Sequence, residues 1–156
     1  MNKASMDSLI QDLKNPDEEV RDQATEELWR IWFNQKGTSG FQALERAQRL
    51  LESGEITQTE AVLTDLIEAM PDFSEAINRR AVLYFLTGDY QKAIADCQAV
   101  ICLTPIHFGA LHGLGLCHAA LGDYQKAIQA FREALKIQPF AIQNQRLILE
   151  CTAKLS

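Results

Sequence analysis

Three histidines and four cysteines carry most of the chemistry available to this 156-residue chain: His107, His112, His118, Cys97, Cys102, Cys117 and Cys151. Histidine titrates near neutral pH and can move a proton, and imidazole or thiolate can hold a transition metal. The spacing argues against both uses. Cys97 and Cys102 form a C-x4-C pair, a poor metal spacing on a helix, and no CxxC occurs. His112 and Cys117 point apart along a helix, so they make no nucleophile–base pair. No GxGxxG, P-loop, GxSxG or HExxH is present. Gly109, Gly113 and Gly115 fall inside a helical segment rather than a phosphate loop, where small residues permit close helix contact or leave room for a ligand backbone. The cysteines read as small buried hydrophobes with reduced thiols, and His118 as a packed side chain. The expectation is a non-enzymatic protein with no cofactor and no metal.

Charge narrows the partners. The net charge is -6 and the pI about 5.0, with no Lys/Arg cluster, so nucleic acid is not expected. The acid is lopsided: residues 1–73 hold seven basic and fifteen acidic side chains, residues 74–156 eight and six. The first residues, MNKASMDSLIQDLK, lack a signal-peptide apolar core. No stretch approaches the ~18 apolar residues of a membrane span. These features point to a cytoplasmic protein.

The elements that would position any site come from a repeat. GDYQKAI occurs at Gly88–Ile94 and again at Gly122–Ile128, and prolines stand at 71, 105 and 139, an interval of 34 residues throughout. The period divides the chain into units 40–73, 74–107 and 108–141. Gly88 and Gly122 can take the positive φ that closes a helix. Asp89 and Asp123 can cap the next helix, and Tyr90 and Tyr124 pack back on the helix just ended. Ala81, Ala93, Gly115 and Ala127 are small where two helices cross closely. Ser39–Gln42 and Thr57–Glu60 read as capping boxes.

A 34-residue helix–turn–helix unit resembles the tetratricopeptide repeat. Leu111, Leu114, Gly115, Gly122, Tyr124, Ala127, Phe131, Ala134 and Pro139 match that family's pattern in the third unit. Ile77, Ala81, Tyr84, Gly88, Tyr90, Ala93, Val100 and Pro105 match it in the second. The first unit matches at Ala47, Leu50, Gly54, Leu63 and Pro71, but has Thr59 where the family has Ala. The wording of Ala76–Asp96 and His107–Gly115 also resembles small bacterial and cyanobacterial-type proteins of this family. The resemblance implies an all-α fold: a right-handed α-solenoid of three helix–turn–helix units.

Residues 1–37 read as an N-terminal helical hairpin broken at Asn15-Pro16. It resembles a HEAT repeat at Leu9, Leu13, Val20, Ala24 and Leu28, and is expected to cap the stack. Trp29, Trp32 and Phe33 are expected to pack against the 40–53 helix, or to offer an exposed aromatic contact. Residues 37–40, GTSG, read as a flexible joint. Residues 142–156 read as a C-terminal capping helix.

The family resemblance implies a concave groove lined by the first helix of each unit. Its positions fall on Phe41, Leu44, Gln48 and Leu51, then Glu75, Asn78, Arg79, Val82 and Phe85, then Gly109, His112, Gly113, Leu116 and Ala119. A subset of the family grips the C-terminal carboxylate of chaperones with Lys, Asn and Arg. Leu44, Gln48, Arg79, Gly109 and Gly113 stand at the matching positions, and only Arg79 could serve. The expected function is protein binding, as adaptor, scaffold or assembly factor, with a peptide or amphipathic helix held by Asn78, Arg79, Val82, Phe85, His112 and Leu116. The hairpin or the tail helix covering part of the groove is the plainer reading of that surface. The alternative function is a structural protein that self-associates into a homo-oligomer through the Trp-rich face.

Overall fold

The computed structural model describes residues 3–156. Met1 and Asn2, the first residues of the expected N-terminal hairpin, lie outside the described residues. The described chain is nine helices and no strand: α1 (Lys3–Asp12), α2 (Glu18–Phe33), α3 (Gly37–Glu52), α4 (Ile56–Ala69), α5 (Ser74–Leu86), α6 (Tyr90–Leu103), α7 (Phe108–Ala120), α8 (Tyr124–Ile137) and α9 (Ile142–Leu155). None of them is long and apolar enough to cross a membrane.

One turn, used three times, builds the solenoid. Gly54, Gly88 and Gly122 have φ of 78°, 80° and 80°. The residue after each glycine donates its N–H back across the helix end, as in Asp89 N to Tyr84 O (2.8 Å) and Asp123 N to His118 O (2.9 Å). That bond satisfies a carbonyl the helix would leave unpaired. An added Cβ at Gly122 meets nothing within 4 Å, so only the backbone conformation opposes a side chain there. Gly122→Ala is therefore expected to lower stability by about 1–2 kcal/mol. Urea denaturation would measure it, and a loss below about 0.5 kcal/mol would contradict this account of the turn.

The turn also fixes where the next helix starts, which corrects two capping expectations. Gly54-Glu55-Ile56 repeats the frame of Gly88-Asp89-Tyr90, so α4 begins at Ile56 and Thr57 lies inside it; its N-cap, Glu55, makes no side-chain bond. Ser39 likewise lies within α3, whose N-cap is Lys36. Of the two expected aspartate caps, Asp123 accepts from Lys126 N, while Asp89 makes no such bond. The GTSG stretch is the first turn of α3 rather than a flexible joint. Gly37 (φ 70°) starts it, and Gly40 is buried where a Cβ would come within 3.1 Å of the Phe73 ring.

In the 34-residue frame a small residue on the first helix of each unit is matched by a larger one on the second. The pairs in the 34-residue frame are Ala47/Leu63, Ala81/Cys97 and Gly115/Phe131, all buried. The third pair is tightest: a Cβ on Gly115 would stand 2.4 Å from Phe131. Three of the four cysteines, Cys97, Cys117 and Cys151, are buried, and Cys102 is exposed. The α9 helix closes the stack on α8 through Leu147, Ile148 and Cys151.

The N-terminal hairpin does not cap the end of the stack. The α2 helix runs instead across the beginnings of α5, α7 and α9. Just past its C-terminal end Gln35 donates to Asp72 O and Lys36 pairs with Asp72 (2.7 Å). In its middle Leu28, Trp29 and Trp32 meet Phe108 and His107. Near its N-terminus Thr25 accepts from Gln138, and the Arg21 guanidinium lies 4.2 Å over the Phe140 ring. Each 34-residue step of the solenoid is matched by about seven residues of α2, a rise of about 10.5 Å. The cause of this course is local. The connection Asn34–Lys36 is three residues long, and α3 starts three residues before the repeat frame would start it. The chain therefore leaves α3 at an angle that carries α2 over the turns. The α3–α4 face that a preceding helix would have covered is left as an open hollow along Ala43, Arg46, Ala61 and Val62.

Candidate partner-binding groove

The concave face is divided between occupants supplied by the chain itself and one open stretch. Gly109, where room for a ligand backbone was expected, lies under Trp29; a Cβ there would be 2.6 Å from the indole. Glu75 and His107, beside it, have no exposed surface. Trp32 stacks on the His107 ring at 4.2 Å and Trp29 meets the same ring edge-on at 5.4 Å. His107 Nδ1 accepts from Ala110 N, capping α7, so Nε2 carries the ring proton and donates to Glu75 Oε2 at 3.0 Å. Glu75 Oε1 accepts from Asn78 Nδ2 (3.2 Å) and Arg79 Nε (3.0 Å). One buried carboxylate thus holds three donors and positions Arg79.

The six expected binding residues separate accordingly. Arg79 and Val82 share the open part of the groove with Leu44, Gln48 and Leu51. Asn78 does not face a ligand; it is buried and spends its amide on Glu75. Phe85 is half-buried against Tyr90, ring centroids 5.6 Å apart. His112 Nδ1 bonds Asn144 Oδ1 of α9 at 2.6 Å, and Leu116 packs into the cluster of Phe131, Leu147 and Ile148. The tail helix has taken those last two positions, because it stacks on the third unit as the first helix of a fourth unit would.

The open stretch includes a hollow of about 310 Å³ lined by Phe33, Phe41, Leu44, Glu45, Gln48 and Arg79. Its surface is chiefly apolar. Arg79 stacks its guanidinium 4.7 Å over the Phe33 ring, and its two terminal nitrogens have no bonding partner among the described residues. Phe33 comes from α2, so the hairpin supplies a wall of this hollow. The expectation that Trp29, Trp32 and Phe33 all meet α3 holds for Phe33 alone. Trp32 is buried under the solenoid's own turns, and Trp29 is packed beside it and partly buried.

Groups with shifted titration lie elsewhere. Arg80 donates to both oxygens of Asp96 (2.8 Å each) and to Thr64, tying α4, α5 and α6 together; the Asp96 bond raises its pKa. The hydrogen bond Cys97 shares with Cys117, together with burial, pushes the Cys97 thiol far up. Burial lowers His118. The three histidines therefore have three separate surroundings and converge on no common point.

The fold and groove define a stacked-hairpin helical solenoid with a partly filled concave face. Two family models, both described as tetratricopeptide repeat, match residues 44–105 and 109–140. The chain belongs to the tetratricopeptide repeat family. It is 29% identical over 138 residues to a TPR repeat-containing protein of Rhizobium etli, covering 88% of this chain and 68% of that one. It is 25% identical over 107 residues to the Hsp70-Hsp90 organizing protein 1 of Glycine max, covering 69% of this chain but 18% of that one. Among solved structures, the first TPR of Spaghetti (RPAP3) bound to the HSP90 peptide SRMEEVD superposes with a TM-score of 0.69. It is 20% identical and covers 72% of this chain and 92% of that one. The Sgt2 TPR domain from Aspergillus fumigatus gives 0.68 at 18% identity, over 73% and 77% of the two chains.

Proposed function

We propose that this chain is a non-catalytic protein-interaction module that holds an apolar segment of a partner in the open part of its concave face. It would act as an adaptor, scaffold or assembly factor. The observation that carries this reading is the apolar hollow between α2, α3 and α5, with Arg79 at its rim. Solenoid neighbours that hold HSP90 or HSP70 peptides support the mode of binding. Their acidic-tail ligands fit this groove poorly: Leu44, Gln48, Gly109 and Gly113 offer no cation, and Gly109 is roofed by Trp29. An apolar side chain seated against Phe33 and Phe41 fits better, with one hydrogen-bond acceptor of the partner on the free edge of Arg79. The groove is preformed, so binding need not order the receptor first.

Val82 is 37% exposed beside this hollow, so Val82→Asp should leave the fold within about 0.5 kcal/mol of wild type. Placing a carboxylate there is expected to remove, or weaken at least roughly tenfold, any partner captured by the wild-type protein from native extract. Quantitative mass spectrometry of the two captures reads the effect. Identical captures from wild type and variant would defeat the proposal.

A further inference from the structure

The α2 helix and the two residues Gln35 and Lys36 beyond its end meet three successive inter-unit turns, through groups of side chains about seven residues apart. Side chains make almost all of this contact. The backbone of α2 comes close to α3 and α5 at few points, whereas α5 with α6 and α7 with α8 pack along their lengths. The polar clasp is small: Gln35 and Lys36 at Asp72, and Thr25 at Gln138. The surface beneath reads a helix by shape. Gly109 leaves a flat seat for one indole, the His107 ring stacks on the next, and Phe108 fills the space between them. A short connection ending at Gly37 joins α2 to α3, and at its other end α2 is joined to α1, which packs on it, with Leu13 buried in the same cluster.

We propose that the row of inter-unit turns is a helix-binding surface, that α2 is its occupant in cis, and that a partner's amphipathic helix with the same seven-residue pattern can replace it. The partner helix carries a large aromatic over Gly109 and apolar residues one turn to either side. This rests on the reading of the chain as an interaction module, and it names the kind of partner. Because Phe33 walls the open hollow, displacing α2 also remakes the neighbouring site. A tethered helix competes at an effective concentration on the order of millimolar. A free helix of equal affinity therefore binds only when the cis seat is weakened, or when it bears better contacts.

The test uses the full chain, whose only two tryptophans, Trp29 and Trp32, both lie on α2 and report its seat. The probe is a labelled peptide of residues 16–36 with both tryptophans replaced by phenylalanine. The control peptide has alanine at both places. Leu28, on the solenoid-facing side of α2, is fully buried, and Leu28→Ala weakens the cis seat. It is expected to tighten the apparent affinity for the probe roughly 30-fold or more, followed by anisotropy. Tryptophan emission should shift to the red as the probe binds, while helix content is retained, and the control peptide should not bind. Equal affinity for wild type and Leu28→Ala, no binding to the folded variant, or binding with no emission shift would each overturn the proposal. If Leu28→Ala does not fold, Lys36→Glu sets a second carboxylate against Asp72 and should give the same result more weakly. The capture experiment with Val82→Asp does not require α2 to move. Its success beside failure of the probe would remove only this inference; the reverse would remove only the assignment of the open hollow.

Discussion

Replacing Glu75 by alanine is expected to cost about 3–5 kcal/mol of folding stability, among the largest effects any single polar residue can have in this chain. The carboxylate has no exposed surface and accepts from His107, Asn78 and Arg79. Its removal strands the His107 Nε2–H in a dry site under two indoles. It also leaves the Arg79 guanidinium without its anion. Glu75→Gln keeps the shape and one acceptor but turns an N–H toward Asn78 and Arg79, themselves donors, so a smaller loss of about 1–3 kcal/mol is expected. Equilibrium urea unfolding of both variants measures this. A loss under about 1 kcal/mol for Glu75→Ala would mean that water reaches the pair and that the tryptophan roof is open in solution.

Phe131→Ala should be as costly, about 3–5 kcal/mol, because the ring is fully buried between the helices of the third unit. The more diagnostic variant is Gly115→Ala. Helix propensity alone favours it by about 1 kcal/mol. Its Cβ would lie 2.4 Å from the Phe131 ring, inside any permitted contact. Overpacking of this kind costs about 1–3 kcal/mol, so the net effect is a loss. Gly115→Ala combined with Phe131→Leu recreates the Ala47/Leu63 pair of the first unit. The double variant should be clearly more stable than the sum of the two single changes predicts, as a double-mutant cycle would show. Strict additivity would mean that Phe131 can swing away, and that the small-to-large matching between helices is not what sets their spacing.

The repeat architecture was legible because each recurring letter has one local cause. A positive φ demands Gly88 and Gly122, and a close crossing demands Ala81 and Gly115. The division of the groove was not legible in the same way. Leu44, Asn78 and His112 share one place in the 34-residue frame, as do Gln48, Val82 and Leu116. The period says nothing about which member of a column a neighbour will cover. Whether His112 faces a ligand or Asn144 depends on α9, and whether Gly109 is open depends on α2. Both are long-range packings that lie outside the repeat. A three-residue connection at Asn34–Lys36 decided the second, and GTSG looks like a loop until Gly40 is seen to be buried beneath Phe73. What went unread is the pairing of Glu75 with His107 under the α2 tryptophans, because it joins two units through a helix outside the repeat. Arg21 and Leu28 stand seven apart on α2, and Gln35 follows seven further on, just past its end, in time with turns that step by 34.

That correspondence makes α2 a gauge of repeat number. Its 16 residues are about 24 Å long, and together with Gln35 and Lys36 just beyond its end they reach three turns. A fourth unit would stand beyond its end, and a missing unit would leave Arg21 and Thr25 over empty space. The number of units is thus written twice in this chain, once in its repeats and once in the segment laid across them.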